Sequence, residues 1–492
     1  MKKRQGILAI DIGTNATKAV VFDTRGKDVL IHRKFYPMIS PQIGWSEQNP
    51  DTVFQAVIEI IRETYETKPD DVEIAGISFS SQMYSILAIN RQGKPLINSL
   101  TWADRRSADI AKTMRQHPEA QGIYRRTGCP IDAIYPLSKI QWLKEHAEDM
   151  DSARFISIKE YVLYRLIGKF VVDWSVASAT GFFDISRYTW DQKALSLIAV
   201  SPAQLSELVS PRQVFTEWNS DVLNYAHIPS GTPCVIGGGD GPLASIGVGA
   251  SQPGVLAVNV GTSAAARYIL CSPLVDPNGR LWTYIADENV WVIGGITSSG
   301  GILYEWLTKI MASDESHEAI DALVSSINPG ADGLLFIPYL GGEQCPVWDP
   351  NTRGSFIGIA FKHTKAHFIR AVFEGIARSI YRIVESIEST IEQRIQEIRV
   401  TGGMASSAKW LQIAADMFGC RIVVPETIEG SAKGAALLAR AALGMASEPL
   451  DQQESRHPTL KTFEPHEDKH RVYATQYNHF TKLLEAVKVA RT

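Results

Sequence analysis

Cysteine is scarce in these 492 residues: five, at Cys129, Cys234, Cys271, Cys345 and Cys420, an odd and widely spaced set. No CxxC pair and no Cys/His ligand spacing occurs, which excludes a disulfide framework and a structural zinc site; the five read as reduced, mostly packed thiols of a cytoplasmic chain. Long apolar runs are missing too, and nothing approaches the roughly 18 consecutive apolar residues of a membrane span. The basic start Met1-Lys2-Lys3-Arg4 leads into an apolar stretch that Asp11 cuts short without a small-residue cleavage site, so a secretory signal is not expected. Neither sign of charge dominates: 49 Lys and Arg oppose 53 Asp and Glu, a net of −4, so no field recruits nucleic acid or an anionic membrane as partner. There is no G-x-x-x-x-G-K-[ST], no H-R-D with D-F-G, and no H-E-x-x-H. The sole G-x-G-x-x-G/A candidate, residues 239–244, overlaps Asp240 and shows no convincing helix start, which speaks against a dinucleotide fold.

What the chain does contain is one turn used twice. Asp11 ends the apolar run Gly6-Ile7-Leu8-Ala9-Ile10 and opens Asp11-Ile12-Gly13-Thr14-Asn15-Ala16-Thr17-Lys18; Asn259-Val260-Gly261-Thr262-Ser263 repeats the design in mid-chain. A buried strand, then Gly-Thr, then a second apolar stretch makes a hairpin whose backbone N–H groups and hydroxyls can point at phosphate oxygens. An acid at the strand end can hold Mg²⁺. Either copy alone also fits an ordinary glycine-containing hairpin; the recurrence and the carboxylate of the first copy favour phosphate.

The surroundings repeat as well. Asn49-Pro50 supplies a cap and a first-turn proline before Val53, Phe54, Val57, Ile58 and Ile61 at helical spacing, and residues 72–79 follow as a buried strand. Residues 104–230 turn more helical and aromatic, an elaboration carried by the first half. The second half opens near Ser251-Gln252-Pro253-Gly254 and repeats the scheme: a hairpin over 255–269, a long helix with Ile369, Val372, Phe373, Ile376, Ile380 and Ile383 on one face, a strand at 397–400 and an Ala-dense helix over 431–443. The expectation is an α/β protein of two related domains, residues 1–250 and 251–492.

Asp240 ends the strand predicted from Pro233 and stands among glycines that let another molecule approach its carboxylate. It either caps the following turn, a common task for Asp before Gly, or takes the proton of an attacking hydroxyl. The two phosphate-type hairpins favour the second task. Residues 294–301 and Thr401-Gly402-Gly403-Met404 are further glycine-rich turns leading into helices, suited to a flat base or ribose lying on the backbone, or else plain strand-to-helix connections. Residues 80–85 and Thr101-Trp102-Ala103-Asp104-Arg105-Arg106 gather amide, hydroxyl, carboxylate and guanidinium groups with one aromatic wall, a lining for a polyol or sugar acid. Arg105 or Arg106 can pair with a carboxylate of the ligand; equally, Asp104 can cap the next helix and both arginines lie in solvent.

With these residues in place, the sequence resembles the FGGY family of carbohydrate kinases over residues 6–443. The most specific element is residues 354–359 followed by His367-Phe368-Ile369-Arg370-Ala371-Val372-Phe373-Glu374, which is similar to the family's second signature at every constrained position. Pro136, Lys139, Trp142, Leu143 and His146 fit the looser first signature, with Ile134 departing from it. The resemblance implies the two-domain actin-like ATPase fold, ribonuclease H-like, with a central cleft, and ATP with Mg²⁺ as cofactors. It makes Asp240 the catalytic base and Asp11 the magnesium-side carboxylate. It places Thr14, Asn15 and Lys18 in the first phosphate loop, Gly261 and Thr262 in the second, Gly301 on the adenosine side, and Gly402, Gly403 and Ser407 in the later nucleotide turn. Gln82, Met83, Tyr84, Trp102, Asp104 and Arg105 fall to the acceptor, with Tyr84 where the family often has histidine. Within the family the chain looks closest to the gluconokinase and xylulokinase branch. This implies phosphorylation of D-gluconate at its terminal hydroxyl, with D-xylulose or another pentulose as the alternative acceptor and a non-catalytic actin-like ATPase as the remote one. A homodimer is implied by the resemblance alone.

Overall fold

The computed structural model describes residues 3–312, 314–446 and 459–489. The chain divides into two compact units, one of Met1–Val248, Leu270–Val292 and Glu429–Ser455, the other of Gly249–Ile269, Ile293–Ile428 and Arg456–Thr492. Two segments beyond residue 250, from Leu270 and from Glu429, therefore pack with the first unit. For the Ala-dense helix Gly430–Ala442 the cause is steric. A Cβ at Gly434 would lie 2.0 Å from the Leu243 carbonyl oxygen, and one at Gly247 would lie 1.9 Å from that of Gly430, so these glycines let the helix seat backbone to backbone on Asp240–Gly247.

The first unit is built on a six-stranded sheet in the order Val214–Phe215, Cys234–Gly239, Val72–Ser81, Arg4–Ile12, Ala16–Asp23, Asp28–Phe35. Arg4–Ile12 runs antiparallel to Ala16–Asp23, closing the first hairpin with Asp11 opposite Lys18, and parallel to Val72–Ser81. The helix Pro50–Thr67 starts as its sequence dictates: the Asn49 side chain accepts from the Thr52 N–H at 2.9 Å, and Pro50 occupies the first turn. Its face of Val53, Phe54, Val57, Ile58 and Ile61 lies in the core, each side chain contributing roughly 1.5–3 kcal/mol of burial. The elaboration after residue 104 is helical but also carries short strands such as Arg154–Ile156 and Val171–Asp173, and has a core of its own.

The second unit repeats the plan. Val255–Val260 pairs antiparallel with Ala264–Leu270 and parallel with Glu397–Thr401, which is parallel in turn to Arg421–Pro425. The long helix Lys365–Ile391 buries the six apolar residues expected of it. The signature residues Arg370 and Glu374 form a buried pair at 2.8 Å that also takes the Tyr473 hydroxyl and the Gly330 N–H, so these two residues of the signature serve packing. No helix among the described residues is long and apolar enough to cross a membrane.

One buried carboxyl makes a stability prediction. Glu160 closes a capping box at the helix Ile158–Ile167, accepting from the Ser157 N–H at 2.6 Å, and burial raises its pKa from 4.5 to about 7. The folded chain thus holds this proton when the unfolded chain has lost it, and folding stability falls as pH rises from 4.5 to about 7. Glu160→Gln keeps the box without the charge. Its folding stability should gain on that of the wild type across this window and hold a constant lead above it, a difference on the order of 1–3 kcal/mol; thermal melts at half-unit pH steps check it through a rising melting temperature of the variant relative to the wild type.

Candidate active site

In the first unit, the hairpin turn at Gly13-Thr14-Asn15 is held from behind by side chains. The Tyr36 hydroxyl donates to the Gly13 carbonyl at 2.6 Å and the Gln48 amide to that of Thr14 at 2.5 Å. Gln82 is buried, donating to the Gln48 amide oxygen at 2.6 Å and to Gly13 O at 3.2 Å. Thr14 Oγ1 accepts from the Trp102 indole at 3.0 Å and donates to Gln82 Oε1 at 3.2 Å. Gln82 and Trp102 therefore join the hairpin to the acceptor segments and fix the turn. Asn15 is exposed. Lys18 bonds Glu429 at 2.5 Å, and Arg33 reaches the same carboxylate at 3.4 Å.

Asp11 Oδ1 is buried and has no hydrogen-bond partner, and burial raises the carboxyl above its ordinary range against the opposing pull of the Lys18 charge. An oxygen in that state fits a cation. Among the described residues no three His, Cys, Asp or Glu side chains cluster as a metal cage. A Mg²⁺ ion here matches the mode in which one carboxylate and ligand phosphates share the coordination.

The acceptor segments divide by burial. Asp104 is fully buried, accepting from the Ser46 N–H at 2.7 Å and from the Arg106 guanidinium at 2.8 and 2.9 Å, so it clamps the loop. Arg106 does not lie in solvent: its guanidinium sits 3.6 Å from the Trp45 ring centre. Arg105 is the half-exposed cation, sharing Asp132 with Arg115 at 3.1 and 2.7 Å. Tyr84 takes a positive φ of 67°, uncommon for a bulky residue, and its ring lies edge-on to Tyr135 and Tyr284.

Asp240 corrects one reading of the sequence. The strand Cys234–Gly239 passes straight into the helix Asp240–Gly247, so residues 239–244 do begin a helix, with Asp240 in its first turn. The dinucleotide reading still fails, because a carboxylate stands where a pyrophosphate would meet the helix N-terminus. The side chain is half-buried and accepts from the Gly241 N–H at 2.7 Å. Gly237, at φ +70°, has no room for a side chain: a Cβ would lie 1.8 Å from Phe79 O. Met83 packs on Gly239, where a Cβ would meet its Cγ at 2.8 Å, so the acceptor segment borders the strand end that delivers Asp240.

In the second unit, the second hairpin turn edges a cavity of about 710 Å³ lined by Gly261, Thr262, Gly301, Gly403 and Ser407 together with Tyr304, Glu305, His317 and Asp321. That volume suits a nucleoside. The Gly301 N–H donates to Gly261 O at 2.7 Å and the Ile302 N–H to Thr262 O at 3.1 Å, so the helix Gly301–Met311 is tied to the turn by its first amides. Gly402 turns the chain at φ +90°, and a Cβ there would lie 2.5 Å from Val260 O; at Gly403 a Cβ would meet only open space. Ser407 caps the helix Ala408–Phe418 and reaches Asp321 at 3.4 Å. Burial raises Asp321 above the usual carboxylate range. Sequence reasoning missed Glu343, which accepts from Thr297, Ser298 and Ser299 at 2.7, 3.0 and 3.2 Å and shapes the turn before Gly301; burial raises it to about 7. Its place beside Gly341-Gly342 was the available signal.

Two related units, one with a phosphate-type hairpin beside a polar acceptor segment and one with a nucleoside-sized cavity, are the parts of a phosphotransferase. The N- and C-terminal domains of the FGGY family of carbohydrate kinases match residues 6–247 and 256–443. The chain belongs to that family. This FGGY kinase is 39% identical over 450 residues to a gluconokinase of Bacillus licheniformis, covering 89% of this chain and 88% of the relative. It is similar to the crystal structure of gluconate kinase from Lactobacillus acidophilus, with a TM-score of 0.94, 33% identity, and 99% and 98% of the two chains covered. It is similar also to xylulose kinase from the same organism, with a TM-score of 0.94, 34% identity and 98% of each chain covered. As an FGGY kinase it transfers phosphate from ATP to an alcohol of a small carbohydrate.

Proposed function

We propose that this FGGY kinase phosphorylates D-gluconate at its terminal hydroxyl, giving 6-phosphogluconate. The observation that carries the reading is the similarity to gluconokinase across nearly nine-tenths of both chains. Half-exposed Arg105 in the acceptor segment supports it, since a guanidinium recognises a carboxylate in bidentate fashion and a ketose has none to offer. The equal structural likeness to a xylulose kinase keeps D-xylulose as the second reading.

In the proposed mechanism, the cavity of the second unit takes the nucleoside, with Gly301, Gly402, Gly403 and Ser407 shaping it. The turns at Thr14-Asn15 and Gly261-Thr262 receive phosphate oxygens, and Lys18 adds its charge once it leaves Glu429. Asp11 would hold Mg²⁺, which when bound supplies charge neutralisation to the phosphates. Asp240 orients the terminal hydroxyl and takes its proton as the oxygen attacks the γ-phosphate. Gln82, Met83, Tyr84, Trp102, Asp104 and Arg105 form and hold the acceptor pocket. Cytoplasmic residence and a homodimer belong to the same proposal; five free cysteines support the first and the family resemblance the second.

A coupled ADP-release assay against D-gluconate, D-xylulose, D-ribulose and glycerol tests the substrate. Gluconate should lead in kcat/KM by at least about tenfold, the scale expected when a site's polar partner is left unpaired by the wrong ligand. A lead by xylulose would replace the reading with its alternative.

A further inference from the structure

Among the described residues, Lys139 is the buried cation of the acceptor region that no carboxylate touches. It lies on the helix Pro136–His146, is fully buried, and donates to Thr101 O at 2.7 Å, Ile134 O at 2.8 Å and Tyr84 O at 3.0 Å. All three ammonium protons are thereby used. The three carbonyls belong to three separate segments. Tyr84 ends the Gln82-Met83-Tyr84 stretch in its uncommon positive-φ conformation. Thr101 opens the turn that carries Trp102, Asp104 and Arg105. Ile134 follows Asp132, the carboxylate that Arg105 and Arg115 share.

We propose that Lys139 is a positioning residue for the carbohydrate acceptor: its ammonium is the hub that holds these three segments in the arrangement that binds the sugar acid, without touching the substrate itself. The inference rests on the acceptor site proposed above. Burying an unpaired ammonium is costly, and a methionine would fill the same volume more cheaply, so packing alone does not account for a lysine here. A methionine would instead withdraw the ammonium from all three buried carbonyls, with the Asp104 N–H at 3.2 Å still donating to Thr101 O.

The charged groups that face the ammonium are Asp104 and Asp132, which favour its charge, and Arg105 and Arg106, which oppose it. Burial outweighs them all and lowers the pKa to about 7. The neutral amine has two N–H donors for three carbonyls, so the hub loosens as pH rises through neutrality.

The test is Lys139→Met and Lys139→Arg in the full chain, assayed with whichever of the four acceptors the wild type turns over and followed by hydrogen exchange and mass spectrometry. Lys139→Met should raise the acceptor KM about tenfold or more while the ATP KM stays within twofold. Amide exchange should quicken several-fold at residues 84–86, 101–106 and 132–135 and stay unchanged at 261–263 and 402–407. Lys139→Arg should restore most of the protection. In the wild type, the same three segments should gain exchange between pH 6 and 8.5 beyond the intrinsic increase, a readout that needs neither a folded variant nor turnover. Unchanged exchange in those segments, or equal losses for acceptor and ATP, would overturn the proposal. A wild type that turns over none of the four acceptors would defeat the functional reading while the exchange result still decides the hub.

Discussion

Asp240→Asn is expected to lower kcat by about 10³–10⁴-fold while the affinity for ATP, measured by titration, changes less than twofold. The figure sits at the upper end of what a positioned general base contributes, because in the proposed mechanism the carboxylate both orients the hydroxyl and takes its proton. Asparagine keeps the shape and can still accept from the Gly241 N–H, so the first turn of Asp240–Gly247 should survive and the melting temperature should hold within a few degrees. A variant that retains wild-type turnover would remove Asp240 from the chemistry. One that loses both turnover and fold would assign it the capping task that the sequence also allowed.

Asp11→Asn should produce the second largest loss, on the order of 10²–10³-fold in kcat at saturating ATP, since in the proposed mechanism this charge holds the cation and its removal costs several kcal/mol at the transition state. The direction of the stability change is the more distinctive sign. Asp11 Oδ1 is buried without a hydrogen-bond partner and burial pushes its carboxyl upward, a cost that the Ser80 hydroxyl and the Lys18 charge offset only in part. The neutral variant should therefore melt slightly higher without ligand, by roughly 1–3 °C, and lose the gain in stability that ATP with Mg²⁺ gives the wild type. Calorimetry with and without the nucleotide–metal pair separates these outcomes. A variant that melts lower than the wild type in both states would make Asp11 a structural acid.

The parts of this molecule that sequence made legible are those fixed by local chemistry. The cap at Asn49, the apolar face of Lys365–Ile391 and the two Gly-Thr hairpins depend on neighbours within a few residues, and each formed where its pattern placed it. Tertiary approach was not legible. Nothing local in Gly430–Ala442 announces that Gly434 meets the Leu243 backbone, so the packing of this helix with the first unit is not legible in the sequence. The glycine run 237–241 suggested a turn, yet it serves close strand packing against Phe79 and an immediate helix.

The same limit applied to the site. Residue type suggested that Gln82 and Asp104 face a ligand, whereas burial shows Gln82 spent on the hairpin and Asp104 on Arg106. Lys139 was visible as a signature position without a task, because its three carbonyl partners are 55, 38 and 5 residues away. Polar groups that brace a pocket and polar groups that line it look alike in sequence, and only their burial and partners tell them apart.

The most direct test of the central claim is the initial rate of ADP release by the wild-type chain with ATP and Mg²⁺, measured with and without D-gluconate and repeated with Asp240→Asn. The account predicts release that depends on gluconate in the wild type, with one equivalent of 6-phosphogluconate formed per ADP, and its disappearance in the variant. Release at equal rates with and without gluconate, unchanged by the substitution, would contradict it.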